Sequence, residues 1–273
     1  MNHIVLLRAH GDFIITLTNV SNSNLINDFY IHASAHFLPL YNAIPDQYKN
    51  ANLQIEFVDW GIKSSMLGLY TNKRLLNPNS IKEVYKIKHW LQKQTVSEDW
   101  ILEQDTRKKR IEIFTGRKFK HISSDQNIYE QYNYFFHSKP IQIDYDPTKV
   151  QHILILPSAR LAFRNIPKTL IQTIQQHHQQ KNQEVQVAFF KPQLVNLKEN
   201  LNAYTSYNSF TELINYILAA DYIYTPDSLS AHLAYFFGKP HTILHPAKVS
   251  PSFFTPFALK NKTHFSFAEF VGS

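Results

Sequence analysis

The chain has 273 residues, 44% hydrophobic and 18% charged, a globular balance with enough apolar material for one large core or two medium ones. It has no cysteine, which excludes disulfides, thiolate metal sites and a cysteine nucleophile. Its formal net charge of +7 favours an anionic partner, whether nucleic acid, a phosphorylated substrate or a membrane surface. No run approaches the roughly 18 apolar residues of a membrane span. Arg8, His10 and Asp12 interrupt the first apolar stretch, which argues against a signal peptide and sets the expectation of a cytoplasmic protein.

In chain order, "HIVLLR" (3–8) reads as a strand and "DFIITLTNV" (12–20) as a helix start, followed by strands at "FYIHAS" (29–34) and "LQIEFVDW" (53–60). Helices are expected over 80–94 and 97–115, the second carrying Trp100, Ile101, Ile111 and Phe114 at apolar positions, and over "NIYEQYNYFF" (127–136). "HSKPIQIDYDPTKVQ" (137–151) has two prolines and no helical period, the pattern of a connection. It sets a domain boundary near residue 148, giving domains 1–148 and 149–273.

The second half alternates more plainly. Apolar runs at "HILILPSA" (152–159), "VQVAFF" (185–190), "DYIYTP" (221–226) and "HTILHP" (241–246) are separated by helical patterns, and "AYTSY" (203–207) offers a further strand. Pro167 suits the first turn of "KTLIQTIQQHHQQ", and Ser209 with Glu212 has capping-box spacing. "QQHHQQ" (175–180) reads as a solvated helix end, and the 14 histidines form no familiar metal-ligand motif. Strands alternating with helices predict parallel sheets covered on both faces. Two halves built this way suggest two facing α/β domains, with ligands at the carboxyl ends of strands. A cleft between them would collect the loops after Arg8, Leu156, Phe190 and Tyr224.

"TPDSLSAHL" (225–233) concentrates polar residues where a strand gives way to a helix. A helix N-terminus has unpaired N–H groups and the positive end of the macrodipole, so a phosphate is stabilised there. Asp227 or Ser228 is expected to cap it, with Ser228 and Ser230 as donors to phosphate oxygens. The plain alternative is Asp227 as an N-cap only and His232 as a packed histidine.

The stretch 206–246 resembles the C-terminal signature of glycosyltransferase family 9, the heptosyltransferase-like enzymes. Asp227, Ser228, His232, Leu233, Ala234, Gly238 and Pro240 hold the matching positions. Two further marks follow the same order: Gly11 and Asp12 after the first strand, and "LPSARLAFRNIPKTLIQTI" (156–174), with Arg164 where lysine is usual and Pro167 at the helix start. The resemblance implies two Rossmann-like domains facing across a cleft in the GT-B arrangement, the first for the acceptor and the second for the donor. It implies an inverting, metal-independent glycosyltransferase that moves a heptose or similar sugar from a nucleotide sugar to a cell-envelope glycan or lipopolysaccharide-type acceptor. ADP-heptose is that family's best-known donor.

By the same resemblance Asp12 is the general base, a role suited to a carboxylate because a neutral hydroxyl is a weak nucleophile. Arg164, assisted by Arg160 and Lys168, offsets the charge of the departing diphosphate. Asp227 binds hydroxyls of the transferred sugar, His232 supports the phosphate turn or packs, and Ser209 with Phe210 lines the base site. No resident cofactor or metal is implied. Two departures stand out: Leu229 replaces the usual glycine, and no acid follows the second strand of the second domain, where Lys191 and Gln193 stand and Glu199 is farther on. They favour the alternative of a catalytically inactive nucleotide-sugar-binding relative. A nucleic-acid protein is suggested by charge alone, with no recognised binding motif. The basic segment 107–121, with Arg107, Lys108, Lys109, Arg110, Arg117, Lys118 and Lys120 against Glu112, is either a solvated face or a contact with acceptor phosphates or the anionic inner membrane leaflet.

Overall fold

The computed structural model describes residues 1–7, 9–62, 78–94, 99–102, 108–122, 126–192 and 204–271. The expected polar residues Arg8, Arg107, Gln193 and Glu199 lie outside them. The chain divides into two compact units, Met1–Lys139 and Pro140–Ser273.

The first unit runs β1 (Asn2–Leu6), α1 (His10–Ser21), β2 (Phe29–Ser34), α2 (Leu38–Ala43), β3 (Gln54–Val58), α3 (Pro78–Lys93), β4 (Trp100–Leu102), α4 (Lys108–Thr115), β5 (Lys120–His121) and α5 (Ile128–Phe136). Its five strands lie in the order β3-β2-β1-β4-β5, all parallel. One face of this sheet packs Val5, Leu7, Trp100 and Leu102 against Val84, Ile87 and Leu91 of α3. Helix α1 is buried from Asp12 to Val20, although it carries Thr16, Thr18 and Asn19. Each of these polar side chains donates to the carbonyl four residues earlier, at 3.0, 2.8 and 2.7 Å, which removes most of the cost of burying it.

The helix expected over 97–115 is corrected. Trp100–Leu102 forms a strand against β1, with His3 opposite Trp100 and Ile4 opposite Ile101, and the helix spans Lys108–Thr115. Three consecutive apolar side chains suit a parallel strand covered on both faces. On a helix they would point about 100° apart and could not all reach one core.

The second unit runs β6 (His152–Ile155), α6 (Lys168–Gln179), β7 (Glu184–Phe190), β8 (Thr205–Tyr207), α7 (Phe210–Ala219), β9 (Tyr222–Pro226), α8 (Leu229–Phe236), β10 (His241–His245), α9 (Pro256–Lys260), β11 (His264–Ser266) and α10 (Phe267–Val271). Its six strands are parallel in the order β11-β10-β9-β6-β7-β8. This is the doubly wound order, and its direction reverses between β6 and β9.

Residues from Pro140 onward pack with the second unit, upstream of the boundary expected at residue 148. The Ile141 amide donates to the Tyr235 hydroxyl at 2.9 Å, and the Tyr145 ring lies 5.2 Å from that of Tyr222. The solvated reading of "QQHHQQ" is also corrected at His178, which is buried. His178 stands one turn beyond Ile174 on the inner face of α6. Its Nδ1–H donates to Gln183 Oε1 at 2.6 Å, and its Nε2 accepts from the Tyr224 hydroxyl at 2.9 Å.

Candidate functional site

The topological reversal between β6 and β9 is where sheets of this order bind ligands, outside the carboxyl ends of the strands. The loop after β6 is shaped by its own hydrogen bonds. The Ile166 amide donates to the Pro157 carbonyl at 3.0 Å, and the Ala159 amide to Asn165 Oδ1 at 2.8 Å. A 3-10 turn over Ala162–Arg164 then aims Arg164 at the end of β9. There its Nη1 donates to Asp227 Oδ2 at 3.0 Å and to the Asp227 carbonyl at 3.4 Å.

This pair is asymmetric. The Asp227 side chain is 5% exposed and that of Arg164 32%. Burial raises the pKa of Asp227, an effect opposed first by the Arg164 charge and then by His245. Arg164 Nε is buried and has no hydrogen-bond partner among the described residues.

Ser228 is the N-cap of α8, yet its side chain accepts no cap hydrogen bond. Its hydroxyl lies 2.7 Å from Ser230 Oγ, which in turn contacts Thr225 Oγ1. Of the two expected caps, Ser228 holds the N-cap position but makes no side-chain cap bond: the Asp227 carboxylate turns to Arg164 and the Ser228 hydroxyl to Ser230. His232, on the inner side of α8, is buried. Burial, with a smaller push from His241, takes its pKa down to about 3, so a neutral imidazole stands there at physiological pH.

The structure thus brings Arg164, Asp227, Ser228 and Ser230 together at one strand end. Arg160 and Lys168 are exposed, in the loop after β6 and at the start of α6. Pro167 is the residue before α6 and not its first. Ser209 caps α7 by accepting the Glu212 amide at 3.2 Å. Glu212 reaches back to the Asn208 amide, one residue short of a full capping box. Lys191 is exposed beyond β7.

In the first unit, Asp12 is the third residue of α1 and is 7% exposed. Its Oδ2 accepts the Ala9 amide at 3.4 Å, so it ties down the helix start. Gly11 is the second residue of the same helix. Of the basic segment, Arg117 donates to the Leu91 carbonyl at 3.3 Å with its guanidinium carbon 4.9 Å from the centre of the Trp100 ring, and Lys120 pairs with Asp99. Lys118 is exposed.

Sequence reasoning missed His245. It ends β10, the strand beside β9, is buried, and lies close enough to Asp227 to favour its ionised form. Its signal was available as a histidine closing an apolar strand just before Pro246. Among the described residues no group of three or more His, Cys, Asp or Glu side chains is arranged to hold a metal ion.

No family model matches the chain, and no curated protein matches its sequence. Solved structures do match. E. coli heptosyltransferase WaaC with ADP aligns with 97% of this chain and 92% of its own, at TM-score 0.59 and 11% identity. The chain shares the two-unit, Rossmann-like fold of that protein. A glycosyl transferase family 9 protein from Veillonella parvula aligns over 97% of this chain and 84% of its own, at TM-score 0.58 and 11% identity. E. coli ADP-heptose lps heptosyltransferase II gives 97%, 89%, 0.57 and 13%. The likeness extends over both parallel sheets described above.

Proposed function

We propose that the protein is an inverting, metal-independent glycosyltransferase. It takes a heptose or similar sugar from a nucleoside-diphosphate donor, ADP-linked in the first instance, to a cell-envelope glycan or lipopolysaccharide-type acceptor. The observation that carries this reading is the Arg164–Asp227 pair, which holds a partly exposed guanidinium at the topological reversal. The Arg164 side chain is 32% exposed, and a guanidinium edge open to solvent matches the geometry of phosphate.

On this reading the second unit, with its boundary at Pro140 and not at residue 148, holds the donor and the first serves the acceptor. Arg164, with Arg160 and Lys168, offsets charge on the departing diphosphate. Ser228 and Ser230 line the helix start with hydroxyls, and Asp227 orients both Arg164 and the sugar. His232 packs beneath the site, and Ser209 stands toward the base. Asp12 accepts the proton of the acceptor hydroxyl as its oxygen bonds to the anomeric carbon. The bond from that carbon to the diphosphate breaks, and its electron pair leaves with the phosphate. The work is done in the cytoplasm without nucleic acid. Exposed Ile113, Phe114 and Lys118 in the basic segment favour contact with the anionic inner leaflet or a lipid-linked glycan. Among the described residues no helix is long and apolar enough to cross a membrane.

The test is thermal stabilisation by ADP-, GDP- and UDP-sugars, followed by a transfer assay with the stabilising donor. A ligand at 100 times its Kd adds about 2.7 kcal/mol to apparent stability. One nucleotide class should raise the melting temperature of the wild type, and Arg164→Ala should abolish the shift. A flat screen, or a shift that survives the substitution, overturns the reading.

A further inference from the structure

The tip of the loop after β6 carries large apolar side chains in water. Phe163 is 64% exposed and Leu161 40%, although most large apolar groups of this unit are in its core. The tip is not loose chain. Beneath it lie the Ile166-to-Pro157 and Ala159-to-Asn165 hydrogen bonds, and Ser158 Oγ accepts the Phe190 amide at 3.3 Å, joining the loop to the end of β7. Arg164 is held to Asp227 on the other side. A pinned loop therefore presents an aromatic ring whose centre lies 5.8 Å from the Arg164 guanidinium carbon.

We infer that Phe163 is a stacking platform for the nucleobase of the ligand whose phosphates Arg164 binds, an assignment that rests on the donor-site reading above. Three features favour a base over other parts of such a ligand. The loop from Pro157 to Lys168 contains no carboxylate, the group best suited to sugar and ribose hydroxyls. Its cations, Arg160, Arg164 and Lys168, suit phosphates. What remains, an exposed flat ring with Leu161 near it in the chain, suits an aromatic face, and base–aromatic stacking is strong enough to matter while tolerating different bases. The neighbouring guanidinium strengthens such a stack through its own contact with the ring. Phe163 is thus a positioning and affinity residue for the donor, separate from the groups that meet the reacting atoms.

The experiment measures binding of ADP, GDP, UDP and inorganic pyrophosphate to the full chain by calorimetry, for the wild type and for Phe163→Ala, Phe163→Leu and Phe163→Trp. Phe163→Ala and Phe163→Leu should each weaken the preferred nucleotide roughly 5- to 150-fold, the range that loss of one base stack produces. Phe163→Trp should hold it at least as tightly as the wild type. Pyrophosphate binding should be equal in all four proteins, which also reports that the loop and Arg164 are intact. Equal nucleotide affinity in Phe163→Ala overturns the platform while leaving the donor site standing. Parallel loss of nucleotide and pyrophosphate overturns it in favour of a structural role. Full retention in Phe163→Leu reduces it to a greasy contact without stacking. If the wild type binds none of the four probes, the donor-site reading falls and the platform with it.

Discussion

His3 and His32 meet through a 2.7 Å hydrogen bond between Nδ1 and Nε2, on the neighbouring strands β1 and β2, and His32 Nδ1 lies 2.7 Å from Glu56 Oε1. A neutral His32 donates from Nδ1 to Glu56 and accepts at Nε2, which makes the His3 ring the donor between them. Burial, the largest effect on His32, lowers its pKa despite Glu56 and so favours that neutral form.

Acid should therefore destabilise the protein below pH 6.5. His178 is also lowered, chiefly by burial, while His232 and His241 are lowered to about 3 and about 4. In each case the folded pKa lies below the unfolded one, so between the two values the unfolded chain binds more protons and stability falls as pH falls. Each fully buried neutral histidine removes about 1.4 kcal/mol per pH unit below 6.5. Urea midpoints at pH 7.5, 6.5 and 5.5 should fall in that order. A flat or rising series would show that these rings are not held neutral.

Removing Arg164 should strand a buried carboxylate. Breaking a buried pair from one side costs about 3–5 kcal/mol, and partial exposure of this guanidinium reduces the expectation to about 1–3 kcal/mol. Asp227→Asn in the same chain should recover part of the loss. Because burial raises the folded pKa of Asp227, its ionised form costs stability at neutral pH, and this cost disappears as pH falls through the folded pKa. The deficit of Arg164→Ala should accordingly shrink in acid. A double-mutant cycle in urea at pH 7 and pH 5 checks both points, and a double variant no more stable than the single one refutes them.

Asp12→Asn should lower turnover by roughly 10²–10⁴, the usual worth of a general base. The Asn side-chain oxygen can still accept the Ala9 amide, so the melting temperature should barely move. Wild-type turnover in this variant would remove Asp12 from the mechanism.

Gly238 ends α8 with φ +67°, and a Cβ built there meets nothing within 4 Å. Its amide donates to the Tyr235 carbonyl at 3.0 Å, and the Lys239 amide to Ala234 at 2.8 Å, which closes the helix. Gly238→Ala should cost about 1–2 kcal/mol by backbone conformation alone, and Gly238→Asn less. Equal stability of the Gly, Ala and Asn proteins in urea would contradict this account.

Much of this fold could be read in the chain because its signals are short-range. "FYIHAS" became β2 with its predicted ends, the Ser209 cap sits where its spacing put it, and "TSY" supplied β8. β4 was misread because three residues are too few to show a period. His178 was misread because its polar neighbours disguise one inward-facing position.

The residue types, their alternation and the helix ends are set by neighbours within a few positions, and those settled the α/β class and eight of the eleven described strands, leaving β4, β5 and β11 unread. Which strands lie side by side, and hence where the sheet reverses direction, depends on packing between distant segments. The contact of Arg164 with Asp227 spans 63 positions, and the approach of His245 to the same carboxylate joins two different strands. No local pattern encodes either, because the energy that selects them comes from burying both faces of the second unit's sheet at once.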